Sequence, residues 1–367
     1  MSKINKFVKW ACLLVAGVTA FSSCIRDEGE ACESYLKFVY KYNLLDVDAF
    51  HKQASNIDAY LFDASGNFLV QVQGMMPSGL EENTYRMTLP KGYEHTAQVV
   101  VWAGLNNQHH VVPTLTPGVS TMENLKVALN ATQSDEISVA YNPVFWGLLE
   151  IEGGLQYRDE TNIVQMKKNT NSIRVLLQVE EETVEEGADN TRSNSISPDE
   201  FEFHFYSVNG SASCHNECYD NILRTYVPHY TATESLTRLN DVAVAEFSTK
   251  RMLTDTQLTN ENKNLLQIVH KSTGDVIFGD TDKGQYLNQY LRLAQLTTYA
   301  NYGFQEYLDR QDSHSIIIFL SRKIIKPEDP DPPGPGPGDP DPDPEYRYVA
   351  TNIKILNWVE REQGVDQ

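Results

Sequence analysis

Two cysteines lie close together with a histidine between them, in the run Cys214-His215-Asn216-Glu217-Cys218. Thiols at this separation can close a small disulfide loop in a protein that leaves the cytoplasm. With His204 nearby, the group also offers ligands of the kind that zinc prefers, but the chain has no second cysteine pair at zinc-binding spacing. A disulfide between Cys214 and Cys218 is therefore the candidate, two reduced thiols are the alternative, and no metal site is predicted.

Two other groups of polar residues have the composition of cation sites. His109 and His110 form a doublet beside Asn and Gln residues, and Asp275, Asp280 and Asp282 lie among glycines. The aspartate spacing differs from that of the calcium-binding helix-loop-helix loop. We therefore interpret both groups as polar turns, and we predict no cofactor.

The sequence lacks the motifs of common catalytic chemistry. It contains no Gly-x-Ser-x-Gly nucleophile elbow, no His-Glu-x-x-His motif and no glycine-rich phosphate loop. We predict that the protein is not an enzyme, and we expect no small-molecule substrate.

The N-terminus has the pattern of an export signal that ends at a cysteine. A head with three lysines precedes an uncharged, mainly apolar run over residues 10–21. Because this run is too short to span a membrane comfortably, we expect residues 1–23 to be a signal peptide that is removed. The run Phe21-Ser22-Ser23-Cys24 resembles the lipobox of bacterial lipoproteins, which implies cleavage between Ser23 and Cys24 and a lipid on Cys24. An ordinary signal peptide followed by a free cysteine is the alternative.

Residues 24–34 would form the lipidated tether. The acidic run from Ile25 to Glu30 resembles the leader that sends lipoproteins of the Bacteroidetes type to the outer face of the outer membrane. A buried acyl chain contributes about 0.8 kcal/mol per methylene, so several chains hold a folded body at a membrane without a spanning helix. We therefore expect a lipid-anchored, surface-exposed protein of the outer membrane.

Length and charge restrict the function further. The chain has 367 residues, more than the roughly 250–300 residues that a single core usually supports. With 30 basic and 50 acidic residues, the net charge is −20, and such a body is repelled by nucleic acid. We expect two domains, over residues 35–153 and 154–367, and no nucleic-acid partner.

Short strands with turn signals dominate both predicted domains. Residues 57–62 and 68–72 are apolar runs joined by Asp, Ser, Gly and Asn, which predicts a β-hairpin. Residues 97–104 predict a strand that is buried on both faces. In the run from Phe201 to Tyr206, phenylalanines alternate with polar residues, which places His204 on the opposite, exposed face.

The second half of the chain again contains predicted strands and turns, up to a proline-rich segment. We predict a strand over residues 171–180, a solvated loop over 181–194, and one helix within 285–301. Nine of the 16 prolines fall in residues 327–345 together with Gly, Asp and Glu, which predicts a disordered, extended spacer. A final strand is expected over residues 349–359. Scarce helical periodicity favours an all-β fold, mainly β-sandwiches with a few short helices.

The order of several segments resembles the FimB/Mfa2 family of fimbrial anchor subunits. The likeness rests on the lipobox and on a series of segments: Tyr60-Leu61-Phe62-Asp63-Ala64-Ser65-Gly66-Asn67, Phe145-Trp146-Gly147, Ile173-Arg174-Val175, Gln305-Glu306-Tyr307-Leu308-Asp309-Arg310 and Asn357-Trp358. The resemblance implies two tandem transthyretin-like Greek-key β-sandwich domains, a lipid anchor in the outer membrane and attachment at the base of a fimbria. The partner would be the first shaft subunit, paired by strand addition. The acidic proline spacer has no counterpart in this resemblance.

Two other functions stay open at this point. A stalk or tip accessory subunit of a fimbria would share the same architecture. A lipid-anchored surface glycan-binding protein would also be built from sandwiches, but it would expose Trp and Tyr for stacking on sugar rings. Trp102 and Trp146 lie in apolar runs, which argues against that use.

Overall fold

The computed structural model of the protein describes residues 33–77, 85–132, 134–155, 162–185, 196–235, 241–254, 264–279, 285–325 and 345–356. The predicted signal peptide, the cleavage site at Ser23 and Cys24, and the spacer up to residue 344 lie outside these residues. Among the described residues, no helix is long and apolar enough to cross a membrane.

Strands make up most of the described structure. The first ten are β1 (Tyr35–Val39), β2 (Asn56–Phe62), β3 (Phe68–Met75), β4 (Met87–Thr88), β5 (Gln98–Ala103), β6 (His110–Val111), β7 (Val127–Leu129), β8 (Glu136–Ile137), β9 (Phe145–Glu150) and β10 (Ile163–Lys168). The next eleven are β11 (Thr170–Val184), β12 (Phe201–Ser207), β13 (Ser211–Ala212), β14 (Arg224–Tyr226), β15 (Tyr230–Ser235), β16 (Asp241–Lys250), β17 (Leu265–His270), β18 (Val276–Phe278), β19 (Gln285–Tyr286), β20 (Ser313–Ile325) and β21 (Glu345–Leu356).

Helices are few and short in the described part of the chain. They are α1 (Phe50–Gln53), α2 (Leu287–Thr298) and α3 (Phe304–Arg310), with single 3-10 turns over Met122–Asn124 and Pro198–Glu200. The helix predicted within residues 285–301 is confirmed as α2. The all-β class with few short helices is confirmed as well.

The first unit is built on a seven-stranded sheet in the order β3-β2-β5-β9-β10-β1-β4. Its central strand β5 is buried on both faces, as the unbroken apolar run predicted. One face packs against α1 through a cluster that includes Leu36, Phe50 and Phe145. The other face packs Phe62 and Trp102 beneath a three-stranded sheet in the order β13-β7-β6.

The second unit is a sandwich of two sheets. The five-stranded sheet has the order β15-β16-β11-β20-β21, and the sheet that faces it has the order β18-β17-β12-β14-β8, with β19 beside β17. One core joins them, in which Val175 and Ile316 of the first sheet meet Phe203 and Ile268 of the second. The alternating phenylalanines of β12 all face this core, as their period of two predicted.

The two units exchange strands across the predicted boundary between residues 153 and 154. Strand β10 follows that boundary yet completes the first sheet between β9 and β1. Strand β8 precedes the boundary yet pairs in parallel with β14 of the second unit. The division at residues 153 and 154 stays a prediction about folding units.

Two segments differ from their predicted bounds. The loop predicted from residue 181 begins later, because β11 continues to Val184 along β20, with a bulge between Val179 and Glu181. Residues 186–194 of that loop lie outside the described part. The final strand begins at Glu345 rather than at residue 349, since its pairing with β20 extends to Ile325.

Candidate assembly site

The C-terminal strand β21 forms one edge of the five-stranded sheet. It runs antiparallel to β20, from Leu356 opposite Ser315 to Glu345 opposite Ile325. Strand β20 in turn runs parallel to β11, a pairing that no tight turn can make. The chain thus adds its own last strand to the sheet beside β20.

Aromatic residues fix β21 to the core of the sandwich. Tyr348 is 3% exposed, and its ring lies 5.1 Å from the rings of both Phe201 and His270 at steep angles. Its hydroxyl donates a hydrogen bond to Glu200 Oε2 at 2.7 Å. Burial, followed by the Glu200 charge, raises the pKa of Tyr348 far above its ordinary value, so the hydroxyl keeps its proton.

A buried arginine holds the same strand from the β20 side. Arg322 is 2% exposed, and its Nε donates to Glu182 Oε2 at 2.7 Å. Its guanidinium lies 5.2 Å from the centre of the Tyr346 ring, in a cation–π contact. The guanidinium thus links β11, β20 and β21 across the sheet.

The outer edges of this sheet carry no neighbouring strand within the described residues. Strand β21 pairs with β20 alone, and β15 at the opposite edge pairs with β16 alone. Most of β15 is exposed, and on β21 Val349 is 64% exposed. An unpaired edge presents backbone N–H and C=O groups that can receive another chain's strand. The five-stranded sheet therefore has the geometry of an assembly site.

Charged and aromatic contacts brace the two units against each other on one side. Within the second unit, Arg251, which follows β16, and Asp309 of α3 form a bidentate ion pair, with Nε to Oδ1 at 2.7 Å and Nη2 to Oδ2 at 2.8 Å. Arg310 lies 4.3 Å from the centre of the Tyr42 ring and pairs with Asp46 at 3.0 Å. Since Tyr42 and Asp46 follow β1, these contacts connect the N-terminal sheet to α3.

A buried lysine lies at the same junction, beside a cavity of about 40 Å³. Lys250 Nζ contacts His110 Nε2 and lies 4.4 Å from the centre of the Tyr141 ring. Among the described residues, no carboxylate forms an ion pair with Lys250. Burial lowers the pKa of Lys250 to about 7, and burial together with the Lys250 charge lowers that of His110 to about 3.

A separate polar cleft of about 540 Å³ opens beside β2 and β3. At its floor, the Asp58 carboxylate is 8% exposed and accepts hydrogen bonds from Gln71 Nε2 at 3.0 Å and from Gln73 Nε2 at 2.7 Å. Gln71 Nε2 also lies 3.2 Å from the Tyr60 hydroxyl. The cleft therefore holds oriented amide and carboxylate groups, but no exposed aromatic ring among its described lining residues.

In the structure, Cys214 and Cys218 are both free thiols. Cys214 is buried against the first unit, and burial, followed by the Glu123 charge, raises its pKa to about 11. The Cys218 thiol instead contacts Ser211 Oγ at 3.4 Å and donates to the Asp220 carbonyl at 3.1 Å. The disulfide between Cys214 and Cys218 stays a prediction, as do cleavage at Ser23 and lipid on Cys24.

The predicted histidine environments are correct only in part. His109 lies in a turn, as expected, but His110 is buried in β6. The prediction that His204 is exposed is wrong, because its ring stacks on Tyr206 at 5.9 Å and meets Glu136 of β8, which leaves 18% of the side chain exposed. Asp275 lies in the connection between β17 and β18, while Asp280 and Asp282 are outside the described residues.

Sequence reasoning missed the groups that hold the site together. The alternation of Tyr346 and Tyr348 in the last strand was a usable signal for a buried face. No local pattern marks Lys250 or Arg322, because their burial depends on strands that are distant in the chain.

A sandwich with a free sheet edge can receive a strand from another chain. A family model described as fimbrillin-A associated anchor proteins Mfa1 and Mfa2 matches residues 29–364. The chain belongs to this family of fimbrial anchor proteins. Among curated proteins, no match to the chain was found.

Several solved structures are similar to this chain in fold. The chain is similar to a candidate polysaccharide-binding protein of Bacteroides thetaiotaomicron, with 25% identity, coverage of 79% of this chain and 92% of that chain, and a TM-score of 0.63. It is similar to a candidate adhesin of the same species, with 26% identity, coverage of 80% and 93%, and a TM-score of 0.64. The fimbrial anchor protein Mfa2 of Porphyromonas gingivalis shares the fold at 16% identity, with coverage of 89% and 97% and a TM-score of 0.55.

Proposed function

We propose that the protein is a non-catalytic outer-membrane lipoprotein that anchors a fimbria to the cell surface. A lipid on Cys24 holds its N-terminus in the membrane, and the first shaft subunit adds a strand to the five-stranded sheet. Membership of the fimbrial anchor family over nearly the whole chain is the observation that carries this proposal. The lipobox-like run that ends at Cys24 supports the membrane attachment.

The sheet edge supports the mode of pairing. A partner strand alongside β21 or β15 would satisfy the free backbone groups through a ladder of main-chain hydrogen bonds. Strand β21 already occupies the place beside β20, so the partner would extend the sheet rather than fill a gap in it. The anchor is thereby complete before the shaft arrives.

The junction between the units supports a role in transmitting force from the fimbria to the membrane. A shaft pulls on the second unit while the lipid holds the chain before β1, so the force passes between the two units. The Arg310–Asp46 pair and the exchanged strands β8 and β10 lie on that path. Such contacts resist separation of the two units.

Photo-crosslinking tests the pairing edge. A photoreactive residue placed at Val349 or Thr351 of β21, or at Tyr230 or Thr231 of β15, is expected to crosslink to the shaft subunit on cells. The same group at Val119, which is 77% exposed on the first unit, serves as the control. Crosslinks at Val119 alone, or at none of these positions, would contradict strand addition at this sheet.

We propose glycan binding as a second function, carried by the polar cleft beside β2 and β3. The cleft is within the range of about 300–1,000 Å³ typical of small-ligand sites. Amide and carboxylate groups around Asp58 can donate to and accept from sugar hydroxyls. The similarity to a candidate polysaccharide-binding protein of Bacteroides thetaiotaomicron is consistent with this use.

Calorimetric titration with neutral oligosaccharides tests this second function. Gln73→Ala is expected to abolish binding, because it removes an amide that orients Asp58. Asn352→Ala, on the exposed part of β21, is the matched control and should bind as the wild type does. Absence of binding to the wild-type chain would exclude the cleft as a glycan site.

A further inference from the structure

Three side chains with metal-ligating atoms converge where the two units meet. Glu123 lies in the 3-10 turn Met122–Asn124, and Cys214 and His215 lie in the loop between β13 and β14. One ligand atom from each lies within 4.8 Å of the other two, and His215 Nε2 is 3.4 Å from Glu123 Oε1. No other such group of three was found among the described residues.

We propose that Glu123, Cys214 and His215 bind a zinc ion, with the fourth position open to water. Thiolate, imidazole and carboxylate are the ligands that zinc takes in proteins, and three of them leave one open position. Tetrahedral coordination at the usual bond lengths separates ligand atoms by roughly 3.3–3.8 Å. The distance of 3.4 Å between His215 and Glu123 already falls in that range. The ion would displace the thiol proton of Cys214 to solvent.

The loop that carries two of the ligands is held in place by its own hydrogen bonds. Ser213 Oγ accepts from the backbone N–H groups of His215 and Glu217, each at 3.2 Å. Trp146 Nε1 donates to the Cys214 carbonyl at 3.0 Å. Partners of this kind orient ligands and reduce the rearrangement that metal binding requires.

The three ligands differ in their exposure to solvent. Cys214 is fully buried among apolar residues of the first unit, so its sulfur has a defined position. The His215 and Glu123 side chains are 44% and 71% exposed, so an ion can reach them from solvent. Trp146 and the Met122–Asn124 turn belong to the first unit, so a bound ion would clamp the two units together.

The zinc site excludes the disulfide between Cys214 and Cys218, since one sulfur cannot serve both. It is independent of the proposed anchor function, because strand addition uses the edges β15 and β21 of the five-stranded sheet, and none of the three ligands lies in that sheet. A chain that fails to bind zinc could therefore still anchor a fimbria. A chain that fails to anchor a fimbria could still bind zinc.

Titration of the purified full-length chain with Co²⁺ under reducing conditions tests the site. We expect one Co²⁺ per chain, with a thiolate charge-transfer absorption and the visible bands of four-coordinate cobalt, and displacement by Zn²⁺. Cys214→Ser should remove the charge-transfer absorption. His215→Gln, at an exposed position that preserves the fold, should weaken binding by at least about tenfold. Cys218→Ser and His204→Gln are the matched controls and should bind as the wild type does.

Several outcomes would overturn the proposal. These are no stoichiometric binding, binding that survives both Cys214→Ser and His215→Gln, or equal loss in the Cys218→Ser control. Isolation of the chain from cells with Cys214 and Cys218 bonded to each other would overturn it as well.

Discussion

Replacement of Tyr348 by alanine tests whether β21 is part of the folded core. The substitution removes a ring that is 3% exposed and packed against Phe201 and His270. Truncation of a buried aromatic side chain costs about 3–5 kcal/mol, and the hydrogen bond to Glu200 is lost with it. We expect the free energy of unfolding to fall by about 4 kcal/mol.

Two variants of the same strand separate the contributions. Tyr348→Phe keeps the ring and removes only the hydroxyl that donates to Glu200, so we expect a loss of about 1–2 kcal/mol. Val349→Ala alters a side chain that is 64% exposed and should change the stability by less than about 0.5 kcal/mol.

Urea unfolding followed by tryptophan fluorescence measures these differences, since the midpoint shifts in proportion to stability at a constant slope. Protease digestion at low urea adds a local measurement, because a loosened β21 exposes its backbone before the whole chain unfolds. Equal midpoints for Tyr348→Ala and Val349→Ala would refute the reasoning and would show that β21 contributes little to the sandwich.

Two further predictions concern buried titratable groups. His314 is 1% exposed, and burial lowers its pKa to about 4. Between about pH 6.5 and pH 4, the unfolded chain therefore binds a proton at this histidine that the folded chain does not bind. The free energy of unfolding should therefore fall by up to about 3 kcal/mol as pH drops from 6.5 to 4. His314→Gln should flatten this fall in urea titrations across pH, exposed His95→Gln should not, and an equal effect of both would contradict the assignment. For Lys250, whose pKa burial lowers to about 7, the cost of burying the charge is greatest below pH 7 and decreases as pH rises toward 10.5. Lys250→Met should thus raise the free energy of unfolding at pH 6 by about 1–3 kcal/mol, with a smaller gain at pH 9, and a destabilised variant would show that the contacts with His110 and Tyr141 outweigh the cost of burying the charge.

Local sequence patterns were sufficient where contacts are local. The turn residues 63–67 predicted the β2–β3 hairpin, the alternation in β12 predicted its buried face, and apolar spacing predicted α2. Each of these depends on neighbours within a few residues. The local pattern of apolar and turn residues was therefore enough to predict these elements.

Contacts between distant segments could not be predicted in this way. The parallel pairing of β11 with β20 joins strands that are separated by most of the second unit, and no local pattern specifies it. For the same reason, β11 continues to Val184 through a stretch whose acidic residues resemble a loop. The half-buried position of His204 depends on β8, which lies on the other side of the predicted boundary.

The same difference between local patterns and distant contacts applies to the candidate sites. The prediction of a lipid on Cys24 rests on its sequence context, which is local. The partners of Cys214 could not be found in this way, because Glu123 reaches it only through the docking of the second unit's loop on the first unit. Tyr348 gained its role from the strand order of the sheet.

The central claim, that this chain anchors a fimbria through a lipid on Cys24, is tested most directly by counting fimbriae on cells and in the medium. In a strain that lacks the gene, we predict fimbriae that are shed into the medium or abnormal in length. The wild-type gene should restore cell-attached fimbriae, and a Cys24→Ala gene should not. Normal, cell-attached fimbriae in the deletion strain would contradict the anchor function.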